Sequence, residues 1–163
     1  MVNALDKVQP KNKKQLKQLI DYAFKHNIYD LNFIDTSEIT DMSLLFSNCM
    51  HNFDVSSWDV SNVTCMEYMF VGCENFNCDL SYWDVSNVTC MEYMFGGCKK
   101  FNCDLSYWDV SNVTDMDNMF VNCKKFNCDL SDWDISNISR WKNMFGGCDK
   151  MTIPSWYKLY YRK

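Results

Sequence analysis

Phe76-Asn77-Cys78-Asp79-Leu80-Ser81-Tyr82-Trp83-Asp84-Val85-Ser86-Asn87-Val88-Thr89-Cys90-Met91-Glu92-Tyr93-Met94-Phe95-Gly96-Gly97-Cys98 is one unit of a chain that repeats itself. The stretches Phe101 to Cys123 and Phe126 to Cys148 follow it almost letter for letter. Trp58, Trp83, Trp108 and Trp133 recur every 25 residues, as do Phe70, Phe95, Phe120 and Phe145. A degenerate first copy runs from Leu31 to Cys49, with Ile34 in place of Trp. The copy ending at Cys73 is one residue short, which puts Phe53 out of step with the Phe76 column. About five turns result. A period of this kind predicts a solenoid, in which each unit buries its apolar residues against its neighbours.

Two patterns alternate inside each unit. Thr64 to Glu67 and Thr89 to Glu92 read as capping boxes. Met66, Met69, Phe70 and Cys73 then fall at i, i+3, i+4 and i+7, one face of a two-turn helix. Gly97, Asn122 and Gly147 suit the left-handed residue that stops such a helix. The segment Trp83-Asp84-Val85 alternates as a strand does, and Phe76 to Leu80 reads as a second extended piece. The expected unit is therefore a short parallel strand plus a short helix. Helical caps are expected at both ends: a Lys14–His26 stripe of Leu16, Leu19, Ile20 and Ala23, and the aromatic tail Met151 to Tyr161 opened by Pro154 and Ser155.

The chain reads as one domain over 1–163, with an N-terminal cap (1–30), repeats (31–150) and a C-terminal cap (151–163). A chain of 163 residues buries roughly 70% of its unfolded surface, enough for a core without disulfides. The net charge of −5 argues against a nucleic-acid partner, whose phosphates call for Lys and Arg. No stretch approaches the roughly 20 apolar residues of a membrane span, and no secretory leader is visible. The expected setting is intracellular, with thiols reduced.

Ten Cys and eleven Met invite a metal or redox reading. Most of them are columns. Cys49, Cys73, Cys98, Cys123 and Cys148 form one, and Cys78, Cys103 and Cys128 another. Core filling is preferred over disulfides, and both over metal, because buried thiols behave as small hydrophobes and a column of thiolates would repel itself. The Met columns read as core as well. Cys65 and Cys90 stand where the next unit has Asp115, so they are the candidate reactive thiols. Asp54, Asp79, Asp104 and Asp129, and Asp59, Asp84, Asp109 and Asp134, each precede a Ser by two residues and read as turn formers rather than calcium ligands. Asn77, Asn102 and Asn127 read as a stacked amide ladder.

Positions that vary among copies face outward. Ser57, Tyr82, Tyr107 and Asp132 share such a column beside Asp84 and Asp109. Together they make an acidic face with exposed aromatics, either a contact patch or an ordinary solvated face. His26 and His51 sit in no motif, and no nucleophile–base pair or phosphate loop occurs. No catalytic residue, metal or cofactor is assigned, and no enzyme is expected.

The phrase Phe-Asn-Cys-Asp-Leu-Ser-Tyr-Trp-Asp-Val-Ser-Asn-Val-Thr followed by Met-x-x-Met-Phe-x-x-Cys resembles the BspA-like leucine-rich-repeat family, also called the mycoplasma lipoprotein repeat. The resemblance covers roughly residues 10–160. It implies an α/β, right-handed, leucine-rich-repeat-like solenoid used for adhesion or protein binding, with no shared catalytic site. No leader or anchor of the family's kind is expected from this sequence, and Cys stands where many relatives have small or polar residues. Richness in Asn, Lys, Tyr and Asp points to an AT-rich genome, as in giant viruses or protists, and so to a host cytoplasm or a virion. The expected function is a monomeric, non-enzymatic scaffold for a protein partner. The alternative is a structural part of a virion or other assembly stapled by its Cys columns, and a surface adhesin ranks third.

Overall fold

Backbone donors in each copy alternate between two destinations, and this decides the architecture. The N–H groups of Met66, Tyr68, Phe70 and Gly72 donate to the carbonyls of Cys90, Glu92, Met94 and Gly96 in the next copy, at 2.7–3.0 Å. Those of Met69, Val71 and Cys73 turn back three residues, to Met66, Tyr68 and Phe70. An α-helix would send every one of them to the residue four back. The positive φ of Tyr68 (55°) and Gly72 (71°) confirms the break, and Tyr93, Gly97, Asn118, Asn122, Asn143 and Gly147 repeat it in later copies. Left-handed backbone does occur at Gly97, Asn122 and Gly147, but within chained tight turns rather than at a helix end.

The computed structural model describes residues 7–160. Among these it has two helices, α1 (Lys13–Lys25) and α2 (Ser155–Tyr160), and no sheet. Between the helices the chain is irregular turns, linked by isolated parallel bridges Asp41–Cys65–Cys90–Asp115–Arg140. The expected strand-and-helix, leucine-rich-repeat-like solenoid is therefore not what this chain forms. Its strand segment is two tight turns, closed by Trp83 N–H to Leu80 and Val88 N–H to Val85. Its capping boxes are absent too: Thr89 and Thr114 hydroxyls donate to the carbonyls of Thr64 and Thr89, one copy back. Residues 1–6 and 161–163 of the expected caps, Tyr161 included, lie outside the described residues.

Side chains at the i, i+3, i+4, i+7 positions are buried nonetheless, since turns that reverse every three residues also bring them to one side. Met66, Met69, Phe70 and Cys73 are fully buried, as are their counterparts in the next two copies. Their rings form two columns. Phe70, Phe95, Phe120 and Phe145 stack at centroid spacings of 5.5, 5.6 and 5.8 Å, nearly parallel. Phe76, Phe101 and Phe126 form the second column, 4.2–4.3 Å from the first. The missing residue falls between Cys49 and Asp54, where the copies step by 24 rather than 25 (Asp30 pairs with Asp54, Asp41 with Cys65). Phe53 repairs the core there, turning inward to stack on Phe46 at 4.2 Å.

At the two ends, α1 lays Leu16, Ile20 and Ala23 on the first copy, with Asn12 capping it through Gln15 N–H. The Trp column passes into α2. Trp58, Trp83, Trp108 and Trp133 donate their indole N–H to carbonyls one copy back, and Trp156 donates to Leu130 in the same way at 2.9 Å. No helix among the described residues is long and apolar enough to cross a membrane.

Candidate functional site

Two faces of the stack carry chemistry. The first holds the aspartate rows. Asp79, Asp104 and Asp129 accept from the N–H of Ser81, Ser106 and Ser131, and Asp84 and Asp109 from both N–H and hydroxyl of Ser86 and Ser111. The serine hydrogen bonds hold Asp79, Asp104 and Asp109 below their ordinary carboxylate pKa, so they stay charged well into the acid range. None of these aspartates forms an ion pair with a described Lys or Arg. The face therefore carries a net negative charge that no described cation offsets.

Each Asp-x-Ser element turns the backbone, which throws the residue at the corner of the following turn outward. Tyr82 and Tyr107 sit at such corners and are 92% and 88% exposed, the most exposed large apolar side chains among the described residues. Ser57, Asp84, Asp109 and Asp132 are exposed as well. Of the six residues expected on this face, a groove of about 610 Å³ takes Tyr82 and Tyr107, and adds Asn77, Asp79, Asn102 and Asp104. Those four were read from the sequence only as turn and ladder residues. The asparagines stack copy on copy through the backbone: the side-chain oxygens of Asn77 and Asn102 accept the N–H of Asn102 and Asn127 at 2.9 Å, and Asn127 accepts that of Thr152.

All ten cysteines are free thiols. The first column donates S–H across the stack, Cys98 to Phe70 O and Cys123 to Phe95 O at 3.0 Å. The second column does two jobs at once. Cys103 accepts Leu80 N–H at 3.1 Å and faces Asp79 Oδ1 at 3.5 Å, and Cys128 repeats this with Leu105 and Asp104. Burial raises these thiols: Cys73, Cys78 and Cys128 to about 12, Cys103 to about 11, and Cys98 and Cys123 higher still.

The second face runs along the parallel bridges. Cys65 and Cys90 are half-buried neighbours there, not exposed helix-start residues, and burial pushes Cys90 up to about 11. Glu67 joins them: its carboxylate and the two sulfurs all lie within 4.8 Å of one another. Sequence reading left Glu67 out because helical spacing turns i and i+2 away from each other, whereas this extended backbone puts both on one face. Next to them Tyr68 stacks on Tyr93 at 4.9 Å, and burial together with Glu92, which accepts its hydroxyl, raises the Tyr68 phenol to about 12.

No curated protein and no solved structure matches the chain. The model of one protein family matches it twice, over residues 14–106 and 46–156, so that nearly all of the stacked turns are covered. The chain thus belongs to the family described as "Mycoplasma protein of unknown function, DUF285".

Proposed function

We propose that this protein is a non-enzymatic scaffold that binds another protein through the Tyr82–Tyr107 face. The observation that carries the reading is the pair of tyrosines, almost fully exposed and one copy apart, beside aspartates that pair with no described cation. Aromatic rings held on a rigid backbone lose little entropy when a partner covers them, which is why Tyr is enriched where interfaces are tightest. The uncompensated aspartates select a partner with Lys or Arg opposite them, and they speed its approach. The resemblance of the repeat to the BspA-like proteins, which goes further than the mycoplasma-type family itself, adds weight to a binding role. Ten unpaired thiols suit a reducing, intracellular setting.

Affinity capture from the native host tests this. A Tyr82→Ser/Tyr107→Ser variant is expected to lose at least tenfold in retained partner, since loss of two central aromatic anchors costs on the order of 2 kcal/mol or more. Asp84→Asn and Asp109→Asn keep the turn acceptor and remove only charge. They should weaken capture at low salt and leave it unchanged at about 1 M salt, where the screening length falls to about 3 Å. Retention that ignores the tyrosine substitutions would refute the face.

A further inference from the structure

The bridge column Asp41–Cys65–Cys90–Asp115–Arg140 is electrostatically complete at its ends and open in its middle. Lys13 pairs with Asp41 at 3.1 Å, and Arg140 pairs with both Asp115 and Asp117 at 2.8 Å. Glu92 has the Tyr68 hydroxyl. Between them, Glu67 accepts no hydrogen bond and makes no ion pair with a described residue; the Cys90 sulfur faces the backbone N–H of Glu92, and the Cys65 sulfur has no hydrogen bond to a described residue. Seven of the other eight cysteines do bond through sulfur (Cys73, Cys78, Cys98, Cys103, Cys123, Cys128 and Cys148). These two thiols are also the ones outside the core columns. Packing does not explain their presence in two adjacent copies, where the copies on either side carry Asp41 and Asp115.

We propose that Cys65, Cys90 and Glu67 form a binding site for a thiophilic divalent cation, zinc by preference, that ties two successive copies together. Two sulfurs and one carboxylate suit zinc, and sulfur ligands select against calcium and magnesium. Zinc–sulfur bonds of about 2.3 Å bring the sulfurs to roughly 3.8 Å, a short rotation from their separation of at most 4.8 Å. Binding replaces two S–H bonds with two Zn–S bonds and releases two protons to solvent, with no change of oxidation state. The cation also supplies the positive charge that the middle of the column lacks. Three protein ligands leave a fourth position open to water or to a side chain from a partner.

Cobalt(II) titration of the full chain, with a phosphine reductant present, reads the site directly. The expected result is a thiolate-to-cobalt charge-transfer band saturating at one equivalent, two protons released per metal, and loss of the band on adding zinc. Cys65→Ser and Cys90→Ser should each abolish the band, and Glu67→Gln should weaken binding by at least about tenfold. Cys49→Ser, at a half-buried cysteine outside the cluster, should behave as the parent. A second readout needs no variant: zinc should protect Cys65 and Cys90, mapped by mass spectrometry, from alkylation of the folded protein. Absence of the band, its survival in both Cys65→Ser and Cys90→Ser, or equal alkylation with and without zinc overturns the site.

Discussion

Between pH 9 and 10.5 this protein is expected to unfold cooperatively, at a pH where its carboxylates no longer change. Six cysteines (Cys73, Cys78, Cys98, Cys103, Cys123 and Cys128) are at most 9% exposed, and burial raises every one of them from an ordinary value of about 9, Cys103 to about 11 and Cys73, Cys78 and Cys128 to about 12. In the unfolded chain these thiols ionise near pH 9, while in the folded chain they keep their protons. Stability is therefore complete below pH 9 and declines as the pH climbs towards the folded values, by about 1.4 kcal/mol per thiol per unit. At pH 10 six such thiols together forgo roughly 8 kcal/mol. A domain has only about 5–15 kcal/mol to lose. Urea denaturation under reducing conditions at a series of pH values checks this. A Cys98→Ala/Cys123→Ala variant should be weaker at pH 7 yet lose stability about one-third less steeply. A parent protein with undiminished urea resistance at pH 10 would show that the thiols are not buried in this way.

Phe95→Ala should cost about 4 kcal/mol and lower the melting temperature by about 10 °C. The Phe95 ring is fully buried and stacks on Phe70 and Phe120 within its own column, and on Phe101 across the columns at 4.2 Å. Truncation removes all three contacts, and the backbone around it cannot collapse into the gap because its N–H groups are held by Phe120's neighbours (Phe95 N–H donates to Met119 O at 2.9 Å). Phe145 ends its column with Phe120 on one side, Tyr157 edge-on at 5.0 Å and some exposure, so Phe145→Ala should cost about half as much. Thermal and urea unfolding of the two variants side by side decides the matter. Equal losses would mean that the rings do not act as a continuous stack.

Much of this was readable before any coordinates. The period identified the columns, and columns predicted burial: the Phe, Met and Trp positions that recur every 25 residues are the core, although the Trp indoles bond carbonyls one copy back rather than local ones. Asp followed two residues later by Ser identified the turns, because an aspartate oxygen reaches that N–H wherever it occurs. The outward position of Tyr82 and Tyr107 followed from their variation among otherwise constant copies. The stripe of Leu16, Ile20 and Ala23 on α1 was legible for the same reason any amphipathic helix is, since its donors are satisfied within the segment.

Backbone conformation inside the repeats was not legible. An i, i+3, i+4, i+7 stripe records which side chains are buried, and a two-turn helix or a chain of tight turns can bury the same set. The choice rests on where the N–H groups of Met66, Tyr68, Phe70 and Gly72 go, and their acceptors lie a full copy away. A two-turn helix alone in water is unstable, so the neighbouring copy decides, and it offers a carbonyl to every second donor. That exchange also sets the functional geometry. It makes the backbone extended at Cys65 and Glu67, aligns both with Cys90 of the next copy, and so brings two thiols and a carboxylate together that no spacing within one unit would group. Composition and period determine what this protein buries and where it turns. Which groups meet across copies is a matter of hydrogen bonds between distant residues, and those exist only once the copies are stacked.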